Sequence, residues 1–299
     1  MKRCTLCPRR CSVDRTAGEK GFCGLDDGIV VKNLLPHHGE EPPLSGIHGA
    51  GTIFFSSCNV GCIHCQNYQI SHGTSGKRTD SEGLARMMIS LQEQRCHNIE
   101  LVTPTPQLPG IMEAWLNARR NGLDIPLVYN CSGYENPDMI KLLEGAVDIY
   151  LPDFKYGNER DSFHLSAVKD YPGVAVESIR EMFRQVGDTL EEDAGIASRG
   201  LIIRHLILPG KIWNSIEVLH LIKMHISTSV TLSLMSQYTP VPPVKDAPFL
   251  GRRITREEYG RVVNTALDMG FETIFTQDVD ERTLSPDFEN DLPFNWTQV

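Results

Sequence analysis

Short apolar runs alternate with amphipathic stretches along most of this 299-residue chain. From Gly51 onward the runs are GTIFF (51–55), IELV (99–102), PLVYN (126–130), VDIYL (147–151), LIIRHLIL (201–208), VTLSL (230–234) and ETIFT (272–276). Their length and β-branched content predict buried strands. Between them the period changes. In SEGLARMMISLQEQ (81–94), Leu84, Met87, Met88 and Leu91 recur at helical spacing. Asn136-Pro137 is an N-cap followed by proline at the first helical position. Thr255 and Glu258 spell a capping box ahead of YGRVV. Strands alternating with helices predict a parallel sheet with right-handed crossovers. The expected fold is therefore α/β, a parallel-stranded barrel with a small cysteine-rich, metal-binding extension at the N-terminus. The expected divisions are 1–27 (cysteine-rich segment), 28–50 (ordered connector rich in Pro, Gly and His), 51–282 (barrel) and 283–299 (polar tail).

In such barrels the chemistry gathers at the C-terminal ends of the strands. Polar residues do follow the apolar runs here: Thr103-Pro104-Thr105, Cys131-Ser132-Gly133-Tyr134, Asp153-Phe154-Lys155, and Gln237-Tyr238, with Arg204 and His205 inside the long run. One polar residue after a strand is ordinary loop chemistry; the recurrence over five strands is the signal. In the connector, His37, His38, Glu40 and Glu41 are further polar candidates.

The strongest single signal follows the first run. Cys58, Cys62 and Cys65 form C-x-x-x-C-x-x-C in SSCNVGCIHCQNY. A cubane 4Fe-4S cluster takes four cysteines; a loop of three leaves one iron open for chemistry. The competing reading is a zinc site with His64 or a distant residue as fourth ligand; His64 would be strained there because it directly precedes Cys65. A second set, Cys4, Cys7, Cys11 and Cys23, lies in a stretch with little apolar content. A metal centre there replaces a missing core. Its thiolates suit either zinc or a second Fe-S cluster. Cys96 and Cys131 read as barrel residues, Cys131 as a small neutral group.

Composition narrows the class. Twenty-nine Lys and Arg against 38 Asp and Glu give a formal charge of −9, which argues against a broad nucleic-acid surface. No apolar stretch has the length of a membrane span. MKRCTLCPRRC lacks the apolar region of a secretory signal. Nine cysteines, an odd number, then point to metal ligation in a reducing cytoplasm rather than to disulfides.

The motifs HHGEEPPLSG, GTIFFSSCNVGCIHCQNYQIS, VTPT, VYNCSGYE, YLPDFKY, RHLILPG and LMSQYTP, with the head CTLCPRRCSVDR…GFCG, resemble the pyruvate formate-lyase activating enzyme group of the radical S-adenosylmethionine (SAM) proteins. The resemblance covers nearly the whole chain. It implies that the α/β fold is a partial (β/α)6-type barrel, and it implies a 4Fe-4S cluster on Cys58, Cys62 and Cys65, with SAM chelating the fourth iron and cleaved to a 5′-deoxyadenosyl radical. It implies SAM contacts from His64, Thr103, Thr105, Asn130, Ser132, Asp153, Lys155 and Arg204. Three positions depart from the pattern. His64 stands where an aromatic residue is usual, Thr103-Pro104-Thr105 replaces a Gly-Gly-Glu segment, and Pro106 stands where relatives carry histidine. The implied partners are a reducing electron donor such as flavodoxin or ferredoxin, and a glycyl-radical protein that loses a glycine Cα hydrogen. The alternatives are a radical reaction on another protein or small molecule, or, in another class, an Fe-S electron carrier or a zinc-stabilised interaction module.

Overall fold

The computed structural model describes residues 2–279 and 285–294. Positions 280–284 and 295–299, which include the end of the expected barrel segment and much of the expected tail, lie outside the described residues. Ten strands are present among the described residues: β1 (Ile29–His37), β2 (Ala50–Phe55), β3 (Lys77–Thr79), β4 (Ile99–Val102), β5 (Leu127–Cys131), β6 (Ile149–Pro152), β7 (Glu191–Asp193), β8 (Ile196–Leu206), β9 (Thr231–Met235) and β10 (Ile274–Phe275). Their order is β10-β9-β8-β6-β5-β4-β2-β1-β3, with β7 paired to β8 off this path. β2, β4, β5, β6, β8, β9 and β10 run parallel; β1, β3 and β7 pair antiparallel. The sheet is open, its edges being β10 and β3.

All seven apolar runs read as strands are strands. ETIFT is reduced to the two residues of β10, so the barrel proper has six well-formed parallel strands. Residues 29–37, placed in the connector on composition, form β1, which pairs along β2 from Val31↔Phe55 to His37↔Ala50. β1 was hidden because VVKNLLPH carries a proline and mixed polarity. Those features suit a strand towards the sheet margin, where ladder hydrogen bonds are not all required.

The helices are α1 (Pro42–Ser45), α2 (Tyr68–Ser71), α3 (Ser81–Glu93), α4 (Leu108–Arg120), α5 (Pro137–Lys141), α6 (Glu159–Ser166), α7 (Tyr171–Val186), α8 (Ile212–His225) and α9 (Arg256–Asp268). The caps hold as written in the sequence. Asn136 accepts from Asp138 N–H ahead of Pro137, and Thr255 and Glu258 satisfy one another's backbone donors. None of these helices is long and apolar enough to cross a membrane.

Alternation along the strands sorts residues between two cores. Ile53, Phe55, Leu101, Tyr129, Cys131, Tyr150, Ile203 and Leu234 pack outward with helix residues such as Met88, Ile111, Ile179 and Leu219. Val128, Ile149, Leu151 and Ile202 pack inward around Leu44 of α1. α1 thus plugs the barrel interior. The same alternation turns Thr52, Glu100, Asn130, Asp153, Arg204 and Ser233 to the inner face, where a polar layer lies next to the apolar one.

A candidate radical site at the barrel mouth

The cysteine loop leaves the C-terminal end of β2. Ser57, at φ 75°, turns the chain away from the sheet, and its N–H donates to the Ile70 carbonyl at 2.8 Å. Ile63 N–H donates to Leu165 O at 2.9 Å, which ties the loop to the end of α6. Each sulfur receives a donor: Cys58 from Val60 N–H at 3.3 Å, Cys62 from Ser166 Oγ at 3.0 Å and Tyr156 OH at 3.6 Å, and Cys65 from Ser71 Oγ at 3.2 Å. Burial pushes the Cys58 thiol up to about 12, and the Cys62 and Cys65 sulfurs add to the rise. Three sulfurs this close, each with a donor already aimed at it, suit a positively charged iron centre, which deprotonates its thiol ligands. The neighbouring ring of His64 is buried, edge-on to Tyr156, with its Nδ1 buried and without a hydrogen-bond partner.

Behind the loop lies a chain of paired charges. Lys155 Nζ sits 2.5 Å from Asp153 Oδ2. Burial works to lower the Lys155 ammonium, but Asp153 and then the Cys62 and Cys65 thiolates outweigh it and hold it above its usual range. Arg204 is fully engaged. Its Nε reaches Asp153 at 3.2 Å, Nη1 reaches Glu40 at 2.9 Å and Nη2 reaches Asn130 Oδ1 at 2.6 Å. Asn130 in turn donates to Glu100, whose other oxygen accepts from Thr52 at 2.7 Å. Burial, then Glu40, raises Glu100 well above the usual carboxylate range.

The remaining strand ends divide. Thr103 takes a left-handed φ of 58°, and its N–H donates to Asn130 O at 2.9 Å. Thr105 Oγ1 donates to buried Glu135 at 2.8 Å, and Tyr129 OH donates to the other Glu135 oxygen at 3.2 Å. Ser132 Oγ accepts from Tyr134 N–H at 3.4 Å. Gly133 is required where it stands: a Cβ there would collide with the Asp153 carbonyl. His205 points away from the mouth, between Phe154 O and Ser215 Oγ. Sequence reasoning missed Glu100, which hides in an apolar strand, and Glu135, whose role depends on contacts across two loops. Glu40 and Arg204 were both named, but not as partners, being 164 positions apart.

Burial raises Glu135 from 4.5 to about 8, although Thr105 and Tyr129 donate to it. A carboxyl raised on folding holds its proton longer in the folded state. It costs nothing below the unfolded value and penalises folding increasingly as pH rises through about 8. Glu135→Gln is expected to gain on the wild type by on the order of 1–4 kcal/mol between pH 5 and pH 9, read from paired denaturant titrations. A difference that stays constant over that range would contradict the assignment.

The cysteine-rich head packs on this mouth. Cys7 is pushed up to about 12 by burial, with Cys11 and Cys4 adding to the rise. Cys23 is raised by burial and in turn feels Cys4 and Cys11, so the four thiols are neighbours. Among the described residues, no three His, Cys, Asp or Glu side chains close to the spacing of a single-ion site. Arg9 binds the head to the loop, donating to the Asn59 and Val60 carbonyls at 3.0 Å and to Ser166 and Ala167 O at 3.3 and 3.1 Å. Asn136 Nδ2 donates to Thr5 O at 2.9 Å on the far side. Cys96 and Cys131 lie in the outward core, which also takes in Cys62.

Residues 52–222, from the start of the cysteine strand to α8, match the family described as the Radical SAM superfamily. The chain belongs to the radical SAM superfamily. Membership implies a 4Fe-4S cluster and SAM as its working groups. An uncharacterized protein of Methanocaldococcus jannaschii is 31% identical over 284 residues, covering 92% of this chain and 77% of the relative. A second uncharacterized protein of that archaeon is 26% identical over 157 residues, 47% of this chain and 46% of the relative. Among solved structures, Streptococcus suis SuiB bound to S-adenosylmethionine aligns with a TM-score of 0.52 at 9% identity, covering 74% of this chain and 48% of SuiB. SuiB bound to its precursor peptide SuiA aligns equally well, over 74% of this chain and 47% of its own. This radical SAM chain therefore spans about half the length of the SuiB structures it matches, and at that identity the likeness shows the fold alone. The open, largely parallel sheet is the partial barrel of this superfamily.

Proposed function

We propose that Cys58, Cys62 and Cys65 ligate a 4Fe-4S cluster with one iron left for SAM, and that the enzyme takes a hydrogen atom from a polypeptide Cα, in the manner of the pyruvate formate-lyase activating enzymes. The observation that carries this reading is the three-thiol loop at the end of β2, each sulfur already meeting a hydrogen-bond donor. When bound and reduced, the cluster supplies the electron that splits SAM into methionine and a hydrogen-abstracting 5′-deoxyadenosyl radical.

The protein's own groups position and shield. Lys155 offers an ammonium beside the Cys62 and Cys65 sulfurs, suited to the SAM carboxylate. Asp153 holds that ammonium in place. His64 presents a buried ring and an unpartnered nitrogen edge suited to the adenine. Ser132 and the backbone at Thr103 lie at the adjoining strand ends, suited to the ribose and the amino group. Asn130 and Arg204 act behind them by fixing Asp153, since their own polar atoms are already bonded. Thr105 orients Glu135.

The polypeptide substrate rests on the motif resemblance and on the open sheet; the one SuiB structure holds a precursor peptide. In the same reading, Cys4, Cys7, Cys11 and Cys23 hold an auxiliary Fe-S cluster or zinc, and a flavodoxin or ferredoxin supplies the electron. An Fe-S carrier has no use for the charged barrel interior, which favours the enzyme. The test is anaerobic turnover with a glycyl-radical enzyme bearing α-deuterated glycine. Deuterium in the 5′-deoxyadenosine is expected. 5′-Deoxyadenosine without deuterium would retain radical chemistry and exclude this target.

A further inference from the structure

Three large apolar side chains stand exposed around the cysteine loop: Phe22 at 50%, Ile63 at 40% and Phe163 at 47%. One arginine links them. The Arg9 guanidinium lies 3.7 Å over the Phe22 ring while it bonds the loop carbonyls and the carbonyls at the end of α6. Phe22 also packs against the loop at Gly61, where an added Cβ would sit 3.2 Å from its ring. Ile63, held to Leu165 of α6 by its N–H, directly follows Cys62. It is thus the exposed side chain with the shortest covalent route to a cluster sulfur. Phe163 stands on α6 with the Lys169 ammonium 5.4 Å over its ring.

The charge around this patch runs against the rest of the molecule. Residues 2–23 carry six basic and two acidic side chains in a chain of net charge −9. Lys2, Arg3, Arg10 and Lys20 are exposed there, as are Arg160 and Lys169 on the α6 side, where Arg160 lies 3.9 Å from Asp161. The nearby acids are partly engaged: Asp14 caps the Thr16 and Ala17 N–H groups, Glu19 accepts from Asp14 N–H, Asp26 pairs with Arg78, Asp161 pairs with Lys211, and Asp170 accepts from Tyr134 OH, while Asp27 is exposed. Glu159 stands exposed beside Arg160. An apolar centre inside a charged rim is the make-up of a transient protein interface. A basic rim selects an acidic partner and speeds its arrival. A second copy of this chain would set basic rim against basic rim in a two-fold contact.

We propose that the Phe22–Ile63–Phe163 patch is the docking surface for an acidic one-electron carrier protein that reduces the cluster through the Cys62 side of the loop. The proposal rests on the radical SAM site reading above and adds to it the place of electron entry. The step is outer-sphere: the carrier loses one electron, the cluster gains one, and no bond is made or broken.

The experiment compares two reductants on reconstituted full-length protein, with 5′-deoxyadenosine as readout. Dithionite needs no protein docking; reduced flavodoxin, an acidic flavoprotein, does. The double variant Arg10→Glu/Lys169→Glu is expected to keep the dithionite-driven rate within about twofold. It is expected to raise the half-saturating flavodoxin concentration by about tenfold or more, and to lose most of the wild type's sensitivity to added salt. Phe163→Ala is expected to act in the same direction without changing the salt response. An unchanged flavodoxin response, or equal losses with both reductants, would overturn the proposal and assign the patch to folding, substrate or a second copy. No product from the wild type with dithionite would instead overturn the radical reading, and the proposal with it.

Discussion

Cys58→Ala is expected to abolish 5′-deoxyadenosine formation, by about a thousandfold or more, equivalent to ~4 kcal/mol of barrier. The fold should survive. Cys58 gives up one weak N–H acceptor and sits at a loop rather than in the strand core. Removing one of three adjacent thiols also relieves the burial and repulsion that push this group up to about 12. Iron at the loop should be lost while far-ultraviolet circular dichroism and the unfolding midpoint stay close to wild type. Cys131→Ala is the control, because that thiol faces the helical core. It should cost about 1 kcal/mol of stability and leave product formation intact. Full activity in Cys58→Ala, or its loss in Cys131→Ala with iron retained, would refute the ligand assignment.

Arg204→Met is expected to destabilise the protein by about 3–5 kcal/mol, because it removes the guanidinium shared by the largely buried Asp153 and Glu40 and leaves Asp153 with Lys155 as its ion partner. The midpoint of thermal unfolding should fall by on the order of 10 °C. Both acids sit close to the guanidinium in a largely buried layer, so part of the loss should return when one is neutralised. The double variant Arg204→Met/Glu40→Gln should recover at least about 1 kcal/mol over Arg204→Met alone. Equal stability of the two would mean that Glu40 and Arg204 act independently. The prediction separates two roles for this arginine. A group free to bind SAM would show its loss in the half-saturating SAM concentration; a group tying the barrel interior together shows it first in stability.

The arrangement of the parallel strands was legible because buried strands read as short, mostly apolar runs between helical stretches, as in IELV and VTLSL. The capping signals at Asn136 and Thr255 were legible because they act within four residues. The cysteine loop was legible for the same local reason. Less could be read where the partner is distant in sequence. Thr105 looks like a free hydroxyl until Glu135 is seen to accept from it, and Asn130 looks like a ligand contact until Arg204 and Glu100 occupy both ends of its amide. His205 and Arg204 are adjacent in sequence, yet the strand's period of two sends one outward to Ser215 and the other inward to Asp153. β1 escaped because its proline and mixed polarity suit a strand paired near the margin of a sheet as well as a loop.

The electron paramagnetic resonance spectrum of anaerobically reconstituted, dithionite-reduced protein, recorded with and without SAM, tests the central claim most directly. The account predicts a reduced 4Fe-4S signal that changes on adding SAM and disappears in Cys58→Ala. A cluster signal indifferent to SAM, or zinc in place of iron at Cys58, Cys62 and Cys65, would contradict it.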